Sequence, residues 1–435
     1  MRTSSVILVL VVLIGLVAGG IYYFRDTDGP VVSLAPESGP VSSSKPLLLI
    51  VEDNDSGLRR VTVRLNQNGH DRVLLQQDLG PGQRQLQQQI ELKGLKLKNA
   101  PFTLVVEATD SAIYHFGQGN TSHRDFAFAY DSKPPRISLL SRSHNLNQGG
   151  SGLVVYQVNE EVEQTGVLVG ERFFPAFEQE DGRYLCLFSA PWNADSKGMN
   201  FRVIATDLAG NTRKSGFYHH LNSHRRNRAR IPVSDAFLQA KMPDFQDRFP
   251  DEQNLVDVFL KVNRELRQAN RARLKEIAGK TASEPLWEGA FLRPKGSNRE
   301  PFATDRTYTY KGRKIDSQTH LGVDIASVAQ GPVVAANSGR VVLAEDFGIY
   351  GLCVIIDHGL GLMSLYGHLS SFEVQVGDEV RKGQEIARTG ATGLAGGDHL
   401  HFGLLIDGLP VNPVEWWDAS WVRNNIDSKL HLRVD

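Results

Sequence analysis

Cysteine is almost absent. Cys186 and Cys353 are the two thiols of 435 residues, too few for a disulfide framework. Each sits in an apolar, strand-like stretch (Tyr184 to Phe188; Leu352 to Ile356), where a buried, unpaired thiol is expected. An excess charge of either sign is missing as well: 48 Lys and Arg stand against 49 Asp and Glu, for a net charge of -1. That balance removes nucleic acid from the expected partners. Long apolar runs are confined to one place. What the chain does have is 41 glycines and 19 prolines spread along its length, the composition of many turns and so of a mainly β protein. Its length exceeds one core and predicts roughly two to four domains.

The one apolar run, Val6 to Phe24, carries no charge and would rise about 28 Å as a helix, close to the hydrocarbon thickness of a bilayer. Arg2 precedes it, Tyr22 and Tyr23 close it, and Arg25-Asp26 follow. These features predict an uncleaved transmembrane anchor over residues 1–28, N-terminus inside, with the bulk of the chain facing the periplasm or cell exterior. The competing reading is a cleaved signal peptide cut near Ala18-Gly19-Gly20. The run continues past those residues, which favours the anchor.

Residues 29–132 and 133–222 read as two immunoglobulin-like β-sandwiches. Leu47 to Val51, Val61 to Leu65 and Phe102 to Ala108 alternate as strands do, and Asn68-Gly69 marks a hairpin turn. Phe102-Thr103-Leu104-Val105-Val106-Glu107-Ala108-Thr109-Asp110 recurs as Phe201-Arg202-Val203-Ile204-Ala205-Thr206-Asp207, a displacement of 97 residues from Ala108 to Ala205. Such a repeat suits tandem sandwiches, expected here as spacers or as modules for envelope proteins. His219-His220 and His224-Arg225-Arg226 read as a solvated basic connector. Residues 223–280 then form a linker and an amphipathic helix. Leu255, Val258, Phe259, Val262, Leu266, Ala269 and Leu274 recur at three- and four-residue steps up to Gly279, and that face needs a partner.

Residues 281–435 form the last domain, with a loop-rich entry up to Thr319 and a core over 319–413. Short apolar strands separated by glycines, without a long helix, predict an antiparallel β domain. Its polar residues form three clusters. His320 and Asp324, four apart, share a face whether that segment is helical or extended. His399 and His401, two apart in a strand, also point together. Between them lies Tyr366-Gly367-His368-Leu369. A catalytic zinc takes three protein ligands and keeps a position for water, so two of these five residues are left for other work. A His-Glu-x-x-His helix, which would supply a glutamate base, is absent. Trp416, Trp417 and Trp421 are expected to pack in a core.

Further matches extend those clusters: Gly331-Pro332-Val333-Val334-Ala335-Ala336, Tyr350-Gly351, Asp357-His358-Gly359, Val376-Gly377-Asp378, Thr389-Gly390-Ala391-Thr392-Gly393, His399-Leu400-His401-Phe402 and Asn412-Pro413. In these motifs the segment from Thr319 to Pro413 resembles the LytM/lysostaphin-type zinc metallopeptidases, which cut peptide cross-links of bacterial peptidoglycan. The resemblance implies one zinc ion held by His320, Asp324 and His401, with His368 and His399 as the catalytic pair. It implies a zinc endopeptidase with peptidoglycan as its partner, beside the cytoplasmic membrane reached through the N-terminal helix. Two departures stand out. Gly403 follows Phe402 where the family has glutamate, and Asp398 precedes His399 where proline is common. Some members of the family lack catalytic residues and activate other wall hydrolases, so a regulator is the alternative; a peptidase of protein substrates is a third reading.

Overall fold

The computed structural model describes residues 2–193, 199–223 and 226–432, with side chains from Ile7 onward. The chain divides into two compact units. One comprises residues 1–135, 160–163 and 206–213, and the other 136–159, 164–205 and 214–435. The first begins with the helix Arg2–Tyr23. Among the described residues no helix is long and apolar enough to cross a membrane. This departs from the anchor expected over Val6 to Phe24. The helix itself forms over Arg2–Tyr23.

The rest of the first unit is two facing sheets. One pairs Val31–Ala35, Leu47–Glu52 and Gln85–Ile90; the other holds Gly39–Val41, Thr121–Tyr130, Pro101–Asp110, Leu58–Gln67 and His70–Asp78. Alternation along Phe102, Leu104, Val106 and Ala108 buries those side chains against Leu49, Val51, Val61 and Val63, as a period of two requires. Asn68 (φ 55) and Gly69 (φ 78) make the tight turn of the hairpin from Leu58 to Asp78, the left-handed pair that such a turn demands.

The second unit opens with further β structure. The strand Ser151–Val158 pairs with Arg183–Ser189 and Ile137–Leu139, and His144–Asn147 runs parallel to His219–Asn222. The His219-His220 pair is therefore part of a strand, with its backbone engaged; His224 and Arg225 lie outside the described residues. Cys186 and Cys353 are both free and buried.

The C-terminal region centres on an antiparallel sheet in which Val323–Ala326, Leu400–Ile406, Leu362–Phe372, Leu352–Asp357 and Gly339–Asp346 are successive neighbours. Leu400–Ile406 is buried on both faces. On one side Leu405, Leu365 and Met363 pack under Leu274 and Ile277 of a helix. On the other, the Phe402 ring lies 5.4 Å from Tyr366 and 5.6 Å from Trp417. That helix is the amphipathic segment: Leu255–Lys261, one π turn at Val262–Leu266, then Arg267–Ala278. Its apolar face is covered by the C-terminal β domain.

The entry to that domain differs from the loop-rich expectation. Thr304–Tyr310 and Arg313–His320 form a hairpin through Lys311 (φ 47) and Gly312 (φ 79), and Arg228–Val233 from the supposed linker adds a parallel third strand. Both segments carry backbone donors that a sheet satisfies and a coil beside a core would leave unpaired. Trp416 is fully buried and its Nε1 donates to Ser151 Oγ at 3.1 Å.

Candidate metal centre and catalytic cleft

His320 closes the strand Arg313–His320, and Asp324 lies in the next one, Val323–Ala326. His401 comes from the adjoining strand, opposite Asp324 in the ladder. Three ligand-type atoms therefore converge. His320 Nε2 lies 3.0 Å from Asp324 Oδ1 and 3.1 Å from His401 Nδ1, and His401 Nδ1 lies 2.8 Å from Asp324 Oδ1. All three residues are buried. Gly322 makes the convergence feasible, because a Cβ at that position would collide with the His401 imidazole.

Two imidazoles and a carboxylate are a zinc donor set, and bonds of ~2.0–2.1 Å put tetrahedral ligand atoms about 3.3 Å apart. The separations here lie within a few tenths of an ångström of that figure, so these residues fit the ion. Burial alone would raise the Asp324 carboxyl, but His320 and His401 outweigh it and hold the group well below the usual carboxylate range. Burial lowers the His401 imidazole to about 4 against the pull of Asp324. It is therefore unprotonated at neutral pH, as a metal ligand must be.

His368 sits where the strand Leu362–Phe372 loses register after pairing Gly367 with His401. Its φ of 60 is rare outside glycine, a local cost of the kind that clusters at functional sites. Nδ1 lies 2.8 Å from the Thr392 carbonyl oxygen. A carbonyl only accepts, so Nδ1 carries the proton and Nε2 keeps its lone pair. His399 repeats the arrangement, with Nδ1 2.8 Å from the Gly397 carbonyl and Nε2 3.7 Å from Asp324 Oδ1. The two rings are 4.8 Å apart. Burial, then the neighbouring His401 and His399, push the His368 imidazole well below its ordinary value. All five residues line one cleft of about 280 Å³. His399 and His401 do share a side, as strand alternation predicts.

Sequence reasoning missed the support around Asp324. Arg306 donates through Nη2 to Asp324 Oδ2 at 2.8 Å and through Nε to Glu300 Oε2 at 2.9 Å. Gly403 itself has ordinary contact room beside Leu365. The alternation in Thr304-Asp305-Arg306-Thr307-Tyr308-Thr309-Tyr310, read as a strand, would have put Arg306 on the same face as Thr304, the cross-strand neighbour of His320. Asp398 also has work: Oδ2 accepts from Gln330 N at 3.0 Å. The Tyr350 ring lies 5.4 Å from that of His401.

Residues 318–413 match Peptidase family M23. The chain is 37% identical over 133 residues to the DD-carboxypeptidase/endopeptidase Mpg of Neisseria meningitidis serogroup B, covering 29% of this chain and 31% of that protein. It is 38% identical over 96 residues to the peptidoglycan DD-endopeptidase ShyA of Vibrio cholerae, 22% of each chain. The murein hydrolase activator EnvC of Escherichia coli is 36% identical over 129 residues, 29% of this chain and 30% of that one. The match thus spans under a third of these relatives' length. It coincides with the strands that carry the five cleft residues: the chain contains a peptidase family M23 domain.

Proposed function

We infer that the chain is a zinc-dependent endopeptidase that hydrolyses peptide cross-links of peptidoglycan in the bacterial envelope. The observation that carries this reading is the meeting of His320 Nε2, Asp324 Oδ1 and His401 Nδ1 in the cleft that also holds His368 and His399. His320, Asp324 and His401 would hold the zinc, which when bound supplies a Lewis acid for a scissile carbonyl and for water. His368, with its proton fixed on Nδ1, offers Nε2 to take a proton from water. His399 orients the same water or donates to the developing oxyanion once protonated. Arg306 holds Asp324 in place through its Nη2 hydrogen bond to Oδ2. The substrate class puts the domain on the peptidoglycan side of the cytoplasmic membrane, facing periplasm or exterior. The β-sheet segments before it are read as immunoglobulin-like spacers.

Similarity to the EnvC activator favours a second reading, a regulator of other wall hydrolases. Purified full-length protein decides between them. Metal content is measured, and release of soluble muropeptides from purified sacculi is followed. The endopeptidase reading expects one zinc per chain and release that stops in His368→Ala. Stoichiometric zinc without release, together with stimulation of a separate wall hydrolase, would establish the regulator.

A further inference from the structure

The cleft has a second set of residues that the zinc chemistry leaves unused. Arg267 and Arg271, from the helix Arg267–Ala278, line it together with His320, Asp324 and His399. They stand four apart, on one helical face, where like charges repel. Arg267 is held in place by its own helix: Nε donates to the Asn263 carbonyl at 3.2 Å and Nη2 to Asn263 Oδ1 at 2.8 Å. Asn263 is fixed in turn through Nδ2 to Asp316 Oδ2 at 2.8 Å. The π turn Val262–Leu266 immediately precedes Arg267, a feature frequent at functional sites.

No carboxylate answers these two charges. The nearby acids form their ion pairs elsewhere: Asp316 pairs with Arg264 at 3.1 Å, and Glu300 and Asp324 both pair with Arg306, Glu300 through Oε2 while its buried Oε1 has no hydrogen-bond partner. Among the described residues neither Arg267 nor Arg271 forms an ion pair. Burial works against the charge of Arg267, and Arg306 and Arg271 add to that opposition. A half-buried guanidinium such as Arg267, with no ion-pair partner and the exposed Arg271 beside it, is costly unless an anion arrives to meet it. The helix cannot swing away to relieve the cost. Asn270 Oδ1 accepts from Ile349 N at 3.1 Å, and Leu274 and Ile277 are buried against Leu343 and Cys353. Tyr350 connects the two sets, since its hydroxyl feels both arginines while its ring lies 5.4 Å from His401.

We propose that Arg267 and Arg271 form an anion subsite that takes a free carboxylate of the peptide substrate, so the preferred substrate is an acidic peptide rather than its amide. This rests on the peptidase reading for what the peptide is, but not for whether it binds. A planar guanidinium fork suits a carboxylate, and a charge-assisted pair in a cleft separates acid from carboxamide by about tenfold or more.

The test uses the full chain and cross-linked muropeptides, either as free acids or with their carboxyls converted to amides. Binding of both is measured by calorimetry on metal-free protein, and cleavage on zinc-loaded protein. The acid is expected to bind at least tenfold tighter than the amide. That ratio should fall towards one in Arg267→Gln and Arg271→Gln, and be partly retained in Arg267→Lys, which keeps charge without the fork. Arg271 is exposed, so its variant reads out even if Arg267→Gln folds poorly. Equal binding of acid and amide, or a ratio that survives in Arg271→Gln, overturns the subsite. Intact discrimination without cleavage sinks the peptidase reading alone, and cleavage without discrimination sinks the subsite alone.

Discussion

Replacing Glu415 with glutamine should remove a pH dependence from the stability of the second unit. The Glu415 carboxylate is 7% exposed. Its Oε1 accepts from Asn147 Nδ2 at 2.7 Å and its Oε2 from Ser151 N at 2.9 Å. Gly150 is the residue that lets it in, since a Cβ there would meet the carboxylate. Burial outweighs those two hydrogen bonds and raises the carboxyl from 4.5 to about 7. A raised acid binds its proton more firmly in the folded protein than in the unfolded chain. Its stabilising contribution is therefore fully present below about pH 4.5 and lost as the pH rises through about 7. The interval corresponds to roughly 3 kcal/mol. Glutamine cannot titrate. It offers one acceptor where two donors wait, so a constant penalty of about 1–3 kcal/mol is expected at every pH. Hydrogen exchange of the amides in Ser151–Val158, followed from acid to alkaline pH in both proteins, separates the two effects. The variant should start less stable at low pH and close the gap as the wild type loses its advantage. Parallel curves for wild type and variant would refute the reasoning.

Three further outcomes follow from the cleft and its surroundings. Arg306→Met leaves Glu300 and Asp324 as facing buried carboxylates, a loss of about 3–5 kcal/mol in denaturant melts of metal-free protein; a change below about 1 kcal/mol would contradict the pairing. Gly351→Ala puts a Cβ into Thr392 from a left-handed φ of 61, so muropeptide release should drop at least about tenfold while zinc content is kept. Tyr366→Phe removes the oxygen that accepts from Ala336 N at 2.7 Å and Ser364 Oγ at 2.9 Å, costing about 1–3 kcal/mol in thermal melting.

The five cleft histidine and aspartate positions were legible because each belongs to a short motif that resembles the metallopeptidase family, and strand alternation places His399 and His401 on one side. Arg306 and Glu300 were not, because both lie in polar strands, Thr304–Tyr310 and Ser297–Glu300, and the sheet partner of the first, Arg228–Val233, lies far away in sequence. Pairing at that distance leaves no local mark. The amphipathic helix was visible from Leu255, Val258, Phe259 and Val262. That Arg267 and Arg271 on its flank would face the cleft depends on how the helix docks, through Asn270 and the bare backbone of Gly348.

The proton positions of His368 and His399 are both set by backbone carbonyls, those of Thr392 and Gly397, and both carbonyls belong to one glycine-rich loop. Grafting another loop there to alter which cross-link is accepted would exchange the tethers of both rings at once. In this scaffold, choosing the substrate and tuning the proton carriers are a single engineering variable.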